Sequence, residues 1–195
     1  MRDMASTHTV HITGDPAADE LLSTDPFALL LGMLLDQQFP MERAFIGPAK
    51  LKDRLGTLDP ATLAEAEPEA FAALCAQPPA VHRFPGSMAA RIQAVARVVS
   101  QEYAGDTTRL WNEAATGAEL VKRIAALPGF GAQKAKIFAA LLAKQCGVRP
   151  AGWEKAVGDY ALEGYRSVAD VVDEASLGKV REFKKAMKAA ARASH

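Results

Sequence analysis

The sequence predicts an all-α fold, and three observations carry that prediction. Alanine, the strongest helix former, is abundant, while alternating strand patterns are scarce. Apolar residues recur at helical spacing in successive stretches, such as Phe27, Leu30, Leu31 and Leu34, then Met88, Ile92, Val95 and Val99. Helix-start signals stand in front of several of these stretches. With 195 residues, 49% hydrophobic and 24% charged, the chain can bury a core and lacks the composition of a disordered segment.

Taken in order, residues 1–14 read as a brief extended arm with Val10 and Ile12 alternating. Asp25-Pro26 opens a helix, with Asp as N-cap and Pro in the first turn, where its missing N–H costs nothing. This helix is apolar nearly all round, so it is expected to be central. It is expected to run to Asp36-Gln37-Gln38-Phe39-Pro40 and to stop at Pro40. A helix over about 41–55 is expected to be interrupted near Gly47-Pro48, and Asp59-Pro60 opens one over 61–76. After a proline-rich loop from Gln77 to Gly86, Ser87 is the expected cap of a helix carrying Met88 to Tyr103. Thr116 and Glu119 form a capping box. A helix or broken helix follows from about 153 to 161, Ser167 with Asp170 caps a short segment, and a basic helix spans about 176–193. Short connections and the absence of repeats or low-complexity linkers predict one compact unit.

Cys75 and Cys146 lie far apart, in no CxxC, and are expected to be buried thiols; two cysteines cannot hold a four-cysteine iron–sulfur cluster within one chain. The longest apolar run, Phe27 to Leu35, is too short to span a bilayer, and no signal-like segment leads the chain, so a cytoplasmic location is expected. Nothing demands a dimer, and a monomer is expected.

The stretch Leu127-Pro128-Gly129-Phe130-Gly131 joins two helical patterns by a very tight turn. Its glycines can take positive φ and allow a close backbone approach, and free N–H groups of the next helix can grip a phosphate. From Leu120 to Trp153 there is no Asp or Glu, whereas Lys122, Arg123, Lys134, Lys136, Lys144 and Arg149 are basic. Between Arg54 and Arg83 the balance is reversed, with Asp59, Glu65, Glu67 and Glu69. A chain of zero net charge, polarised in this way, suits a polyanion on one face. An ordinary helical hairpin with a solvated basic face fits the turn alone equally well.

These residues resemble the helix-hairpin-helix base-excision DNA glycosylase superfamily. Leu127-Pro128-Gly129-Phe130-Gly131 is similar to that family's L-P-G-V-G. Leu34-Leu35-Asp36-Gln37-Gln38 resembles its helix end that carries glutamines toward DNA, and Ser87 to Ile92 resembles the start of the helix before the hairpin. The resemblance covers roughly residues 25–150. It implies two subdomains with a cleft between them: a helical bundle over 25–115, the hairpin over 116–150, and a second subdomain from 1–24 and 151–195. It further implies a partner, double-stranded DNA containing a damaged or mispaired base, and extrusion of one nucleotide into the cleft. DNA contacts would come from Gln37, Gln38, Leu127, Gly129, Phe130, Gly131, Gln133 and Lys134, with Gln38 filling the gap in the duplex. The backbone carbonyls of Leu127 and Gly129 would hold a K+ or Na+ ion; no other cofactor is implied.

Two departures qualify the resemblance. The family's strand-cutting members carry a lysine where Gln133 stands, so no lyase step is expected. The loop Val148-Arg149-Pro150-Ala151-Gly152-Trp153-Glu154 lacks the family's catalytic Asp. Stabilising a sugar cation needs a negative charge near C1′, and the candidates are Glu154, Asp159 and Asp36. His82, Phe84 and Trp153, on loops, are the candidates for a base pocket. The expected function is therefore a monofunctional DNA glycosylase. The alternative is a non-catalytic protein that binds distorted DNA, and a more distant one is a protein–protein module using the basic last helix.

Overall fold

In the computed structural model, which describes residues 9–194, the all-α prediction holds: among those residues there are helices and turns but no strand, only an isolated bridge between Thr116 and Ala151. Residues 1–8 of the expected arm lie outside the described residues. The rest of that arm bends over residues 12–14 instead of running extended, and it buries Val10 and Ile12, held by Asp19, whose carboxylate accepts from the N–H of Ile12 (3.2 Å) and Thr13 (2.9 Å). Asp19 belongs to a helix that the sequence reading leaves out, α1 (Pro16–Thr24), capped by Asp15 with Pro16 in its first turn.

Helix α2 (Pro26–Leu35) starts as expected, with the Asp25 carboxylate accepting from Phe27 N–H at 3.0 Å. Every residue from Phe27 to Leu35 is buried, so α2 is the axis of the core. Each fully buried leucine contributes roughly 1.5–3 kcal/mol. Helix α3 (Met41–Leu55) crosses α2 closely because Gly32 leaves room for the Phe45 ring and Gly47 for Leu35. The interruption expected at Gly47-Pro48 does not occur: Pro48 sits buried within a continuous helix. Burial in this crossing offsets a break that costs about 3 kcal/mol in an exposed helix.

The helix expected over 61–76 is two, α4 (Pro60–Glu65) and α5 (Pro68–Ala76). Glu67-Pro68 repeats the cap-plus-proline start, with the Glu67 carboxylate accepting from the N–H of Glu69 and Ala70. Both helices pack on α6 (Pro85–Glu102). α6 begins ahead of Ser87, which lies in the first turn and donates its hydroxyl to Phe84 O at 3.3 Å rather than capping. After the short α7 (Arg109–Asn112), the hairpin pair α8 (Gly117–Ala125) and α9 (Ala132–Cys146) pack on each other. Thr116 caps α8, but the Glu119 carboxylate accepts from Ala115 N–H, one residue before the box position. α10 (Trp153–Val157) runs into a 3-10 turn at Gly158–Ala161, as a broken helix. The Ser167–Asp170 capping box forms, and α11 (Glu174–Ala193) closes the chain, capped by Asp173.

Cys75 is buried and Cys146 half-buried, and burial pushes both thiols up to about 11, so they are protonated and inert at neutral pH. No helix among the described residues is long and apolar enough to cross a membrane.

Candidate nucleic-acid interface

The turn between α8 and α9 is anchored from beneath. Leu127 and Phe130 are buried, and Phe130 N–H donates to Leu127 O at 3.1 Å to close the turn. Gly129 and Gly131 lie on the exposed side. The freedom expected of both glycines is used at only one of them. Gly129 has φ +81°, and a Cβ there would stand 2.7 Å from Leu34 Cδ1 and 3.4 Å from Arg91 Cδ. Gly131 has φ −99° with open space around it. As N-cap of α9 it brings no capping side chain, so the N–H groups of the first turn are left for an outside acceptor.

The turn rests on the end of α2, which stops at Leu35 rather than at Pro40. The last backbone bonds tighten, from Asp36 N–H to Met33 O (3.2 Å) and Gln37 N–H to Leu35 O (2.8 Å), and Gln38 turns into the left-handed region at φ 53°. Gln37 and Gln38 are thereby exposed on a loop instead of a helix stripe. Three distant residues pin this loop. His82 Nε2 donates to Gln37 O at 2.8 Å, Arg91 donates to Gln37 Oε1 at 3.1 Å, and Lys134 Nζ donates to Leu34 O at 3.0 Å.

The tautomer of His82 follows from its partners. Phe84 N–H donates to Nδ1 at 3.0 Å, so the proton is on Nε2, where it meets the Gln37 carbonyl. Burial lowers the imidazole pKa further, and both nitrogens of the neutral ring hold backbone. The ring packs against Phe39 (4.9 Å) and Phe84 (6.0 Å). Phe84 itself is 46% exposed, with the Arg83 guanidinium over its face.

On the other side of the glutamine loop lies a cleft of about 630 Å³, walled by Gln38, Phe39 and Met41 on one flank and by Lys184, Lys188 and Arg192 of α11 on the other. Asp36 reaches it with its side chain only 8% exposed and accepts no hydrogen bond among the described residues. Burial raises the Asp36 pKa, while Lys184, 4.0 Å away, and Lys134 pull it back down. Burial also lowers the Lys134 ammonium to about 8, with the Asp36 charge opposing that shift.

The other candidates are placed elsewhere. Glu154 and Asp159 are both exposed, on α10 and on the turn that follows it. Gln133 is exposed and donates to Tyr160 OH at 3.0 Å, which brings the Asp159 turn beside the start of α9. Trp153 is half-buried against the start of α8, where its backbone leaves no room for a side chain at Gly117, and Arg149 lies over its ring. Arg91 and Lys184 have no place in the reading of the site from sequence. Arg91 lies one helical turn beyond Ser87, which is a legible signal, whereas Lys184 is brought to Asp36 only by the tertiary fold.

Comparison with known families gives a match to a model described as HhH-GPD superfamily base excision DNA repair protein, over residues 31–188. No curated protein and no solved structure matches the chain.

Proposed function

The chain belongs to the HhH-GPD superfamily of base excision DNA repair proteins, and from that premise we propose that it is a monofunctional DNA glycosylase whose carboxylate is Asp36. The observation that carries this reading is the Asp36 side chain itself, nearly buried, without a hydrogen-bond partner among the described residues, and opening into the cleft beside the glutamine loop. Duplex DNA is gripped at the hairpin by the N–H groups at the start of α9. A damaged or mispaired nucleotide leaves the stack, because its glycosidic bond cannot be reached inside it, and Gln38 fills the gap. The bond between C1′ and the base nitrogen breaks, and the base departs with the electron pair. The Asp36 carboxylate stabilises the cationic sugar in a site shielded from water. Water then adds to C1′ and loses a proton to solvent, leaving an abasic site. Lys184 and Lys134 oppose the rise that burial imposes on the Asp36 pKa, and Phe39 and Met41 offer an apolar wall to the base.

Gln133 in place of a lysine supports hydrolysis without strand cutting, since an amide forms no Schiff base. A K+ or Na+ ion at the hairpin would sit on the carbonyls of Gly129, to which no backbone N–H donates among the described residues, and of Leu127, which keeps one lone pair beside the Phe130 N–H. The ion would supply positive charge beside a DNA phosphate.

The test is a single-turnover assay with excess protein on duplexes carrying a panel of lesions, followed by alkali. Abasic product from one lesion, lost in Asp36→Asn, is the expected result; product that survives this substitution would move the role to Asp159 or Glu154. The absence of Asp from the loop 148–154 favours a second reading, a non-catalytic binder of distorted DNA. Tight binding to the same duplexes without product would establish it.

A further inference from the structure

We propose that α11 is a second phosphate grip, which binds the DNA sugar–phosphate backbone along the side of the glutamine loop away from the hairpin. The proposal rests on the DNA-binding reading above. At about 100° per residue, Arg181, Lys184, Lys185, Lys188 and Arg192 fall within one arc of roughly 100° of the helix surface. From Phe183 to the end of the chain there is no Asp or Glu. The arc faces the cleft whose opposite wall is Asp36 to Met41, so it continues the candidate site rather than standing apart from it.

A solvated helix face does not account for this arrangement. Such faces set acids three or four residues from bases, and like charges at that spacing destabilise a helix by roughly 0.2–0.5 kcal/mol per pair. Here Arg181 and Lys185, Lys184 and Lys188, and Lys188 and Arg192 are all like-charged at i,i+4. Of the nearby carboxylates, Glu42 pairs with Arg181, Asp36 stands 4.0 Å from Lys184, and Glu182 lies to the side of the arc. Lys185, Lys188 and Arg192 make no ion pair among the described residues and are exposed. An outside polyanion supplies the missing partner. The stripe covers eleven residue steps, roughly 16 Å, which is the axial rise of about five phosphates on one DNA strand.

The experiment uses the full chain and an undamaged duplex, with affinity measured from low to moderate salt. In wild type, log K falls with log salt at about −0.9 per phosphate contact. The variant K185Q/K188Q/R192Q changes exposed positions only, and a thermal melt checks that it folds. Its slope is expected to be shallower by about 2–3, with affinity at moderate salt reduced about 10- to 100-fold. K185R/K188R/R192K is expected to bind as wild type. If wild type binds duplex, Gly129→Val abolishes that binding and the triple glutamine variant keeps both affinity and slope, the stripe serves another partner and this inference falls while the DNA-binding reading stands. If wild type binds no duplex, that reading fails as well.

Discussion

Lys134 Nζ donates to the carbonyl oxygen of Leu34 at 3.0 Å, joining positions 100 residues apart. The contact fastens the first turn of α9 to the end of α2, and so sets where the hairpin stands relative to the glutamine loop. Lys134 is also the cation held beside Asp36 in a largely buried place.

The position of Lys134 makes stability depend on alkaline pH. Burial lowers its folded pKa to about 8, below the value of about 10.4 in an unfolded chain. Between these values the unfolded state binds more protons, so stability rises with pH through this window and is lost again as pH falls through 8. After allowance for partial solvent screening, the gain is about 1–2 kcal/mol. Urea melts at pH 7.5 and pH 10 should show it as the difference between wild type and Lys134→Met, because the thiols of Cys75 and Cys146, pushed up to about 11 by burial, lower stability over the same window in both proteins.

The two hairpin glycines should respond differently to alanine. At Gly129, with φ +81°, a Cβ meets Leu34 at 2.7 Å, so Gly129→Ala combines backbone strain with a displaced core leucine. A loss of about 1–3 kcal/mol is expected, with DNA affinity falling in parallel. At Gly131, with φ −99° and open surroundings, alanine should leave the melting temperature within about 2 °C of wild type. A bulky residue there should weaken binding without unfolding, by covering the N–H groups of α9. Paired thermal melts and duplex titrations separate these outcomes.

In the proposed reaction Asp36 acts as the ionised carboxylate, and burial raises its pKa. The acid limb of the single-turnover rate should therefore lie above the ordinary Asp value of about 3.9. Lys134→Met removes a cation that lowers this pKa, so it should move the limb further up. Asp36→Asn should reduce the rate by on the order of 10²–10³-fold while leaving duplex affinity within about threefold. A limb that stays near 4 in Lys134→Met would detach the titration from Asp36.

How far the sequence reaches depends on whether the signal is local. Asp25-Pro26 is read correctly as a helix start, because capping and proline geometry act within four residues. The same logic at Glu67-Pro68 is legible but overlooked under a continuous apolar pattern. The end of α2 is not legible. Pro40 marks a stop, whereas the chain leaves the helix at Asp36 because His82 and Lys134 hold the loop from 45 and 100 residues away. The hairpin, Asp36 and the glutamines are all present in the sequence as candidates. That α11 forms the opposite wall of their cleft is a tertiary fact, and the family match running to residue 188 takes in that helix as far as Lys188, beyond the resemblance read over 25–150.

Gln38 offers the last test, because its backbone conflicts with its own side chain. A non-glycine residue at φ 53° costs roughly 1 kcal/mol, and such strain persists where the surroundings enforce it. Here His82 on Gln37 O and the start of α3 at Met41 fix the loop on both sides. Gln38→Gly relieves the left-handed strain but loosens the unfolded chain, for a net gain of about 0.5 kcal/mol. Under the proposed role of Gln38, losing the amide leaves the duplex gap unfilled, and turnover of a lesion in duplex should fall about 10-fold or more. Turnover of the same lesion in a single strand, where no gap opens, should be unchanged. Equal losses on both substrates would mean that Gln38 shapes the cleft instead of entering the duplex.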